Sequence, residues 1–395
     1  MNAQRPLLSL VMVVRNEAHT LRTTFESVKG VVDRLTIVDT GSRDGTQEIV
    51  QAQLRRDSGE PLAGISGHIF RQPFTDYSTV RNFALDVDER QPFHGDADGP
   101  RPARFALSLS ADETLHGGDQ LRAFLSAYDG HESAFLVEIR SDMGATLFPR
   151  VLKTGSPWRY EGVVHERPVN RTECKDPTVV IPGVWIEHHA SDPERRLRRL
   201  REFDVPALER AIADGTDEAD CTRHVVLLAQ THEQLAMAAT AVDPAAYFKH
   251  QSAALGLYLL AAHRSSDKLD TENYAILHAR LIVRALGLSD DRDLLRDLTV
   301  LQTRDPARPD VALAIAHAAM RLDPTAGYDK ALAAVEVAKA AGNKYVLADP
   351  SMEWKAHLTA VLCAWQAGDQ EKARQHAADG RAAGGPAEAF AGVLG

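Results

Sequence analysis

The apolar and polar positions sort this chain into two textures that change near residue 190. In the first texture, apolar runs at 8–14 and 34–38 each stop in a polar cluster. These clusters are Arg15-Asn16-Glu17 and Asp39-Thr40-Gly41-Ser42-Arg43-Asp44-Gly45-Thr46. Short apolar runs that end in polar clusters read as strands. Between them, residues 20–30 place Leu21, Phe25 and Val28 on one face of a helix. The result is a strand–helix–strand unit, and in such units ligands sit outside the carboxyl ends of the strands. Those ends carry carboxylates and amides, which suit the hydroxyl and N–H groups of a nucleoside. Further strands are predicted at 105–110, 134–140, 146–153 and 179–187, with an irregular Gly-, Pro- and Asp-rich segment at 86–104.

The second texture is Ala- and Leu-rich with a helical period. It opens at Ser191-Asp192-Pro193-Glu194, a capping side chain followed by Pro and an acid in the first turn. Helices are predicted near 193–214, 219–239, 244–264, 270–286, 290–303, 309–322, 327–341, 352–367 and 369–383, separated by short Gly, Asp and Pro punctuation. The domains expected are therefore 1–190, mixed α/β, and 191–395, all-α. Arg195, Arg196, Arg198, Arg199 and Arg201 crowd the first of these helices. They read as a solvated face or, beside the strand that ends at His188, as an anion-binding one.

Composition narrows the class. A chain of 395 residues accommodates about two domains. Its 44% hydrophobic and 25% charged content is that of a globular protein with an ordinary core. No apolar run approaches the roughly 20 residues of a membrane helix. The first apolar run lacks a cleavage site behind it, so a cytoplasmic location is expected. Cys174, Cys221 and Cys363 are widely spaced and form no metal motif, which predicts reduced structural thiols. A net charge of −10 disfavours bulk nucleic-acid binding, though a local basic groove remains compatible with it. Neither GxGxxG nor GxxxxGK[ST] occurs, so a phosphate-cradling glycine loop of either familiar kind is missing.

The sequence VVRNEAHTL followed by IVDTGSRDGT resembles the opening of family 2 glycosyltransferases of the GT-A fold. STVRNFAL at 78–85, SADETL at 110–115, LFPRVLKTGSPWRYEGVVHE at 147–166 and IEHH at 186–189 follow in the family's order, so the resemblance covers about the first half of the chain. It implies a Rossmann-like α/β GT-A domain that transfers a sugar from a nucleotide donor, with inversion. WKAHLTAVLCAWQAGDQEKARQHAADGRAAGG is similar to a tetratricopeptide-type hairpin, although no strict repeat of about 34 residues survives.

Sugar transfer has two physical demands. The departing diphosphate gathers negative charge, and the acceptor must lose a proton as it attacks. By resemblance, Asp112 is the metal-ligating acid, Ser110 stands where the family commonly has another acid, and Ala111 lies between them in the donor site. One imidazole of His188 and His189 completes the cation's ligands. Strand alternation puts the two on opposite faces, and His188 aligns with the family's single histidine. An imidazole ligand favours Mn²⁺ over Mg²⁺. Asp39 is matched to the acid that meets the base of the donor, with Val14, Asn16 and Glu17 facing the nucleoside from the first strand and Arg81 balancing the diphosphate. Asp44 and Gly45 read as turn formers. Glu166, Glu113 and His165 are candidate bases, of which Glu166 is preferred, since Glu113 adjoins the metal ligand. His165 is then placed on the diphosphate, and Trp158 reads as core or as a sugar platform.

These assignments predict a glycosyltransferase using a UDP-sugar-like donor. The acceptor is left open among a protein or peptide, a glycan or lipid, and a modified nucleic-acid base, and a homodimer through the helical domain is expected. Ser110 keeps alive the alternative of a sugar-nucleotide-binding or helical-repeat interaction protein with a degenerate transferase domain. A nucleotidyltransferase is a third class, disfavoured by the missing phosphate loop.

Overall fold

In the computed structural model the first apolar run becomes strand β1 (Leu8–Val14), with six of its seven residues buried. The structure describes residues 5–54, 66–90, 102–141, 144–172, 178–189, 192–215, 218–240, 242–264, 269–342 and 351–394. After β1 come α1 (Leu21–Ser27), β2 (Arg34–Asp39), α2 (Thr46–Gln53), β3 (Ser66–Arg71), α3 (Tyr77–Arg90), β4 (Phe105–Ser108), β5 (Glu113–His116), α4 (Gly118–Ala127), β6 (Ala134–Ser141) and β7 (Gly144–Lys153). The α/β part closes with β8 (Trp158–Glu161), β9 (Arg167–Asn170) and β10 (Thr178–His188).

Eight strands form one sheet in the order β3-β2-β1-β4-β7-β6-β10-β5, while β8 and β9 make a separate two-stranded ribbon. β1 to β4 run parallel, β7 is antiparallel to β4, and β10 is parallel to β6 and antiparallel to β5. This is the mixed, mostly parallel α/β sheet that the GT-A resemblance implies. Strands covered on both faces must be apolar on both, which is why the run in β1 is continuous. Leu8, Leu10 and Met12 pack with Leu21 and Phe25 of α1 and Leu121 and Leu125 of α4. Val11, Val38 and Ala106 point the other way, onto Ala84 and Leu85 of α3. Register pairs Val14 with Asp39, Val11 with Ser108 and His188 with Glu113. The ends of β1, β2, β4 and β10 thereby share the edge where the polar clusters fall.

α3 is tied down by a buried polar knot. Asp88 Oδ1 accepts from the hydroxyls of Ser9 (2.5 Å) and Thr36 (2.6 Å) and faces Arg34 Nε at 4.0 Å. Asp88 and Arg34 are each 1% exposed. Burial pushes the Asp88 carboxyl up, against the pull of its two hydroxyl donors and Arg34. Asp88→Leu is expected to destabilise the α/β unit by about 3 kcal/mol, because a buried guanidinium loses its carboxylate. That should lower its melting temperature by roughly 10 °C. An unchanged melting curve would show that the knot contributes nothing.

The chain divides into two compact units, Met1–Ser141 with Thr146–Ser191, and Asp142–Ala145 with Asp192–Gly395. The second contains α5 (Pro193–Arg199), α6 (Val205–Asp214), α7 (Glu218–Ala239), α8 (Pro244–Arg264), α9 (Leu269–Ala285), α10 (Asp291–Arg304), α11 (Pro309–Leu322), α12 (Pro324–Ala341), α13 (Met352–Gln366), α14 (Gln370–Ala382) and the short α15 (Ala391–Leu394). From α6 onward, helices pack mainly on their neighbours in sequence, and α11 also reaches α13. Asp192, Asp290, Asp323 and Asp369 cap their helices through side-chain bonds to N–H groups of the first turn. Among the described residues no helix is long and apolar enough to cross a membrane.

Two details differ from the sequence expectation. α3 continues to Arg90, so residues 86–90 are helical and not part of the irregular segment; residues 91–101 lie outside the described residues. The helix expected over 193–214 is broken by a π turn at Leu200–Asp204. Pro206 enters there without an N–H to donate, which widens the hydrogen-bond ladder ahead of it. The five arginines of 195–201 are exposed, with Arg196 bonded to Gln234 Oε1 at 2.8 Å and Arg199 to Asp204 at 3.3 Å. Cys221 and Cys363 are buried free thiols, and Cys174 lies outside the described residues.

Candidate active site

At the end of β2, Asp39 is 1% exposed and its two oxygens differ. Oδ1 accepts from the backbone N–H groups of Gly41 and Ser42, both at 2.7 Å, which folds the turn after the strand. Oδ2 is buried with no partner. A buried carboxylate oxygen without a donor is costly, and a ligand N–H or hydroxyl is the kind of group that would satisfy it. The neighbouring loop, after β1, is stitched to the same turn. Asn16 N donates to Ser42 Oγ (3.0 Å), Asn16 Oδ1 accepts from Arg43 N (2.8 Å), and Glu17 N donates to Thr46 Oγ1 (2.8 Å). Asp44 joins both loops, accepting from Ala18 N and from Thr46, while Gly45 supplies a φ of 91° before α2. The Val14 carbonyl is taken by the Thr40 N–H and hydroxyl.

The second part of the site follows β4. Ala111 is buried and its carbonyl accepts from Thr24 Oγ1 at 2.7 Å, which anchors the Ser110–Asp112 turn on α1. Glu113 has both oxygens engaged, Oε2 by Ser110 N (2.7 Å) and Oε1 by Arg150 of β7 (2.5 Å). It therefore braces the turn. Asp112 is left at the surface beside His188, with Oδ2 to Nε2 at 3.3 Å and side chains 32% and 43% exposed. The hydrogen bond that His188 Nε2 makes to the Asp112 carboxylate raises the His188 pKa, against burial. His189 is turned elsewhere: its backbone N–H donates to Asp112 O (3.0 Å) and its ring meets Thr114 (2.7 Å).

A carboxylate oxygen and an imidazole nitrogen 3.3 Å apart have the spacing of adjacent ligands at about 2.1 Å from one divalent cation. The donor set thus fits such an ion, with its remaining positions open to water or a diphosphate.

The third part is built by α3 on the β8–β9 ribbon. Asn82 imitates a strand edge, donating to Tyr160 O (2.9 Å) and accepting from Tyr160 N (2.7 Å), while Ser78 Oγ donates to Gly162 O (2.5 Å). This clamp fixes the turn that carries His165 and Glu166. Arg81, one residue before Asn82, bonds Glu166 Oε1 at 2.6 Å and Ser108 Oγ at 3.4 Å. Both partners of that ion pair are largely buried. Burial works against the Arg81 charge, yet Glu166 outweighs it and the guanidinium pKa is raised. Trp158 is core and no platform: it is 8% exposed and its indole N–H bonds Ser133 Oγ at 2.9 Å.

The structure therefore joins Asp112 to His188 and Arg81 to Glu166, and it sets Asp39, Asn16 and Glu17 in interlocked turns. Among the described residues, the non-glycine residues with positive φ are Asn16 (57°) and His165 (50°), both site candidates. Asparagine and histidine tolerate this region better than most residues, and such conformations gather at functional sites. Sequence reading gave no role to Arg150, Ser108 or Ser78, and it took Asn82 only as a neighbour of Arg81. Their partners lie 27 to 84 residues away in sequence, beyond any local pattern.

Residues 9–85 match the family model described as Glycosyl transferase family 2. Among solved structures, the chain is similar to a thermophilic TPR protein of Thermus thermophilus at 20% identity and a TM-score of 0.29, over 42% of this chain and 80% of that one. No curated protein matches the chain.

Proposed function

We propose, from the match of residues 9–85 to the family 2 glycosyl transferase model, that this chain is a metal-dependent inverting glycosyltransferase of the cytoplasm. Its catalytic domain is 1–190 and its helical domain 191–395. The donor is a nucleotide sugar, with UDP the nucleotide that Asp39 is matched to read. The observation that carries the proposal is the Asp112–His188 pair, standing at the sheet edge where Asp39 keeps a buried oxygen unpartnered.

In this reading Asp39 Oδ2 receives a donor N–H, and the Asn16 and Glu17 turn forms the adjoining wall. Asp112 and His188 would hold the cation, which supplies charge neutralisation to the diphosphate, and imidazole ligation favours Mn²⁺ over Mg²⁺. Arg81 turns from Glu166 to the diphosphate when the donor arrives. The acceptor nucleophile forms a bond to the anomeric carbon as the bond to the diphosphate oxygen breaks. Its proton passes to Glu166, and the electron pair leaves with the nucleoside diphosphate.

A panel of nucleotide sugars tests the proposal, by binding and slow donor hydrolysis with and without Mn²⁺. One donor should bind in a Mn²⁺-dependent way, and Asp39→Ala should weaken it about 10-fold or more, the scale of one lost charged hydrogen bond. Absence of binding to every donor would overturn the reading. Ser110, and Glu166 held by Arg81, favour as second reading a sugar-nucleotide-binding protein without turnover; donor binding with no hydrolysis or transfer would select it. The acceptor follows by offering that donor with a peptide, a glycan or lipid, or a modified nucleic acid.

A further inference from the structure

The second unit holds a group of side chains that the reading above does not use. His357 on α13 and His376 and Asp379 on α14 bring one ligand atom each within 4.8 Å of one another. The two imidazoles face each other through their Nδ1 atoms, 3.2 Å apart. We propose that His357, His376 and Asp379 form a binding site for a transition-metal dication of the zinc class, which staples α13 to α14.

Three observations support this. At a metal–nitrogen distance of about 2.0–2.1 Å, two ligands of a tetrahedral zinc stand about 3.3–3.4 Å apart, close to the spacing found. The outer atoms are also set for ligation. Tyr328 of α12 meets His376 Nε2 at 2.9 Å, so its hydroxyl can accept the Nε2 proton and leave Nδ1 bare. Gln375 Nε2 donates to Asp379 Oδ1 at 3.0 Å and orients the carboxylate. Metal-bound histidines and carboxylates are held in this manner by outer hydrogen bonds. Finally, a second pair in the same unit shows what an ordinary imidazole contact looks like. His232 and His250 approach through Nδ1 atoms at 2.9 Å. Among the described residues no carboxylate joins them in a ligand group.

Nitrogen donors with one oxygen suit zinc and its neighbours and disfavour Ca²⁺ or Mg²⁺, which take oxygen ligands. His357 is 4% exposed, while His376 and Asp379 are only partly buried. The group is thus reachable from solvent on the α14 side, leaving a fourth position for water.

The test uses the full chain carrying Asp112→Ala and His188→Ala, which removes the cation pair of the α/β unit. Zn²⁺ is titrated against a chromophoric chelator, and Co²⁺ binding is followed by visible absorption. One equivalent of Zn²⁺ should bind, Co²⁺ should give the bands of a tetrahedral site, and saturation should raise the melting temperature by about 5 °C. His376→Gln and the isosteric Asp379→Asn should each lose the equivalent, with helix content by circular dichroism unchanged. Absence of bound Zn²⁺ at ~10 µM free metal, or binding that persists in both variants, would overturn the site. In the chain with Asp112 and His188 intact, Asp379→Asn should leave donor binding as it was, which separates this site from the transferase reading.

Discussion

Asp112→Ala is expected to lower Mn²⁺-dependent sugar transfer or donor hydrolysis by at least about 10³-fold, equivalent to roughly 4 kcal/mol of transition-state stabilisation. The cost is large because, in the proposed reading, Asp112 and His188 are the two protein ligands of the cation, and Asp112 supplies the formal negative charge. Folding should survive. The side chain is one-third exposed, and the backbone carbonyl that accepts from His189 N is kept by alanine. Glu113, held by Ser110 N and Arg150, continues to brace the turn. His188→Ala should cost less, about 10- to 100-fold, since a water or a diphosphate oxygen can fill the place of a neutral ligand. The check is hydrolysis of the donor found by the nucleotide-sugar panel, across a Mn²⁺ titration. Undiminished turnover in Asp112→Ala would remove the cation from that turn.

Much of this fold was legible because its physics is local. The apolar runs at 8–14 and 34–38 announce strands, and β1 and β2 form there, nearly all of their residues buried. In the helical half, Asp192, Asp290 and Asp369 cap helices where turn residues interrupt the pattern, and Gly287, Gly368 and Gly384 follow helix ends with φ values of 73° to 89°. Four strands were not foreseen. β5, β8 and β9 have four residues each, too few to show a period, and β3 is a half-buried edge strand rich in polar residues.

The site divides in the same way. Residues at strand ends, such as Asp39 and Asp112, are flagged by position and by motif. Residues that matter through a distant partner are invisible to both. Asn82 is the clearest case: in sequence it is a polar residue near a helix start, and in the structure its amide completes a strand edge for Tyr160, 78 positions later. The resemblance matches Arg81 to a diphosphate, and in the structure its guanidinium lies on Glu166. In the proposed reading, an arriving diphosphate competes with that carboxylate for the guanidinium.

That competition makes the Arg81–Glu166 pair the second place where a large effect is expected. If Glu166 accepts the acceptor's proton, Glu166→Gln removes the base and keeps the shape. Turnover should fall about 10²- to 10⁴-fold, the usual range for a general base. The donor KM should change little, because the amide still accepts a hydrogen bond from Arg81. Arg81→Ala should act on the other parameter first. Losing a cation from the diphosphate should raise the donor KM by about 10- to 100-fold, on the scale of one charge-assisted hydrogen bond. It also leaves Glu166 buried without its counter-ion, which should lower the melting temperature, whereas Arg81→Lys should recover part of both losses. The split between kcat and KM is the diagnostic. If Glu166→Gln raised the donor KM and left kcat intact, Glu166 would be a positioning residue for Arg81, and the proton would have to leave by way of His165 or another group.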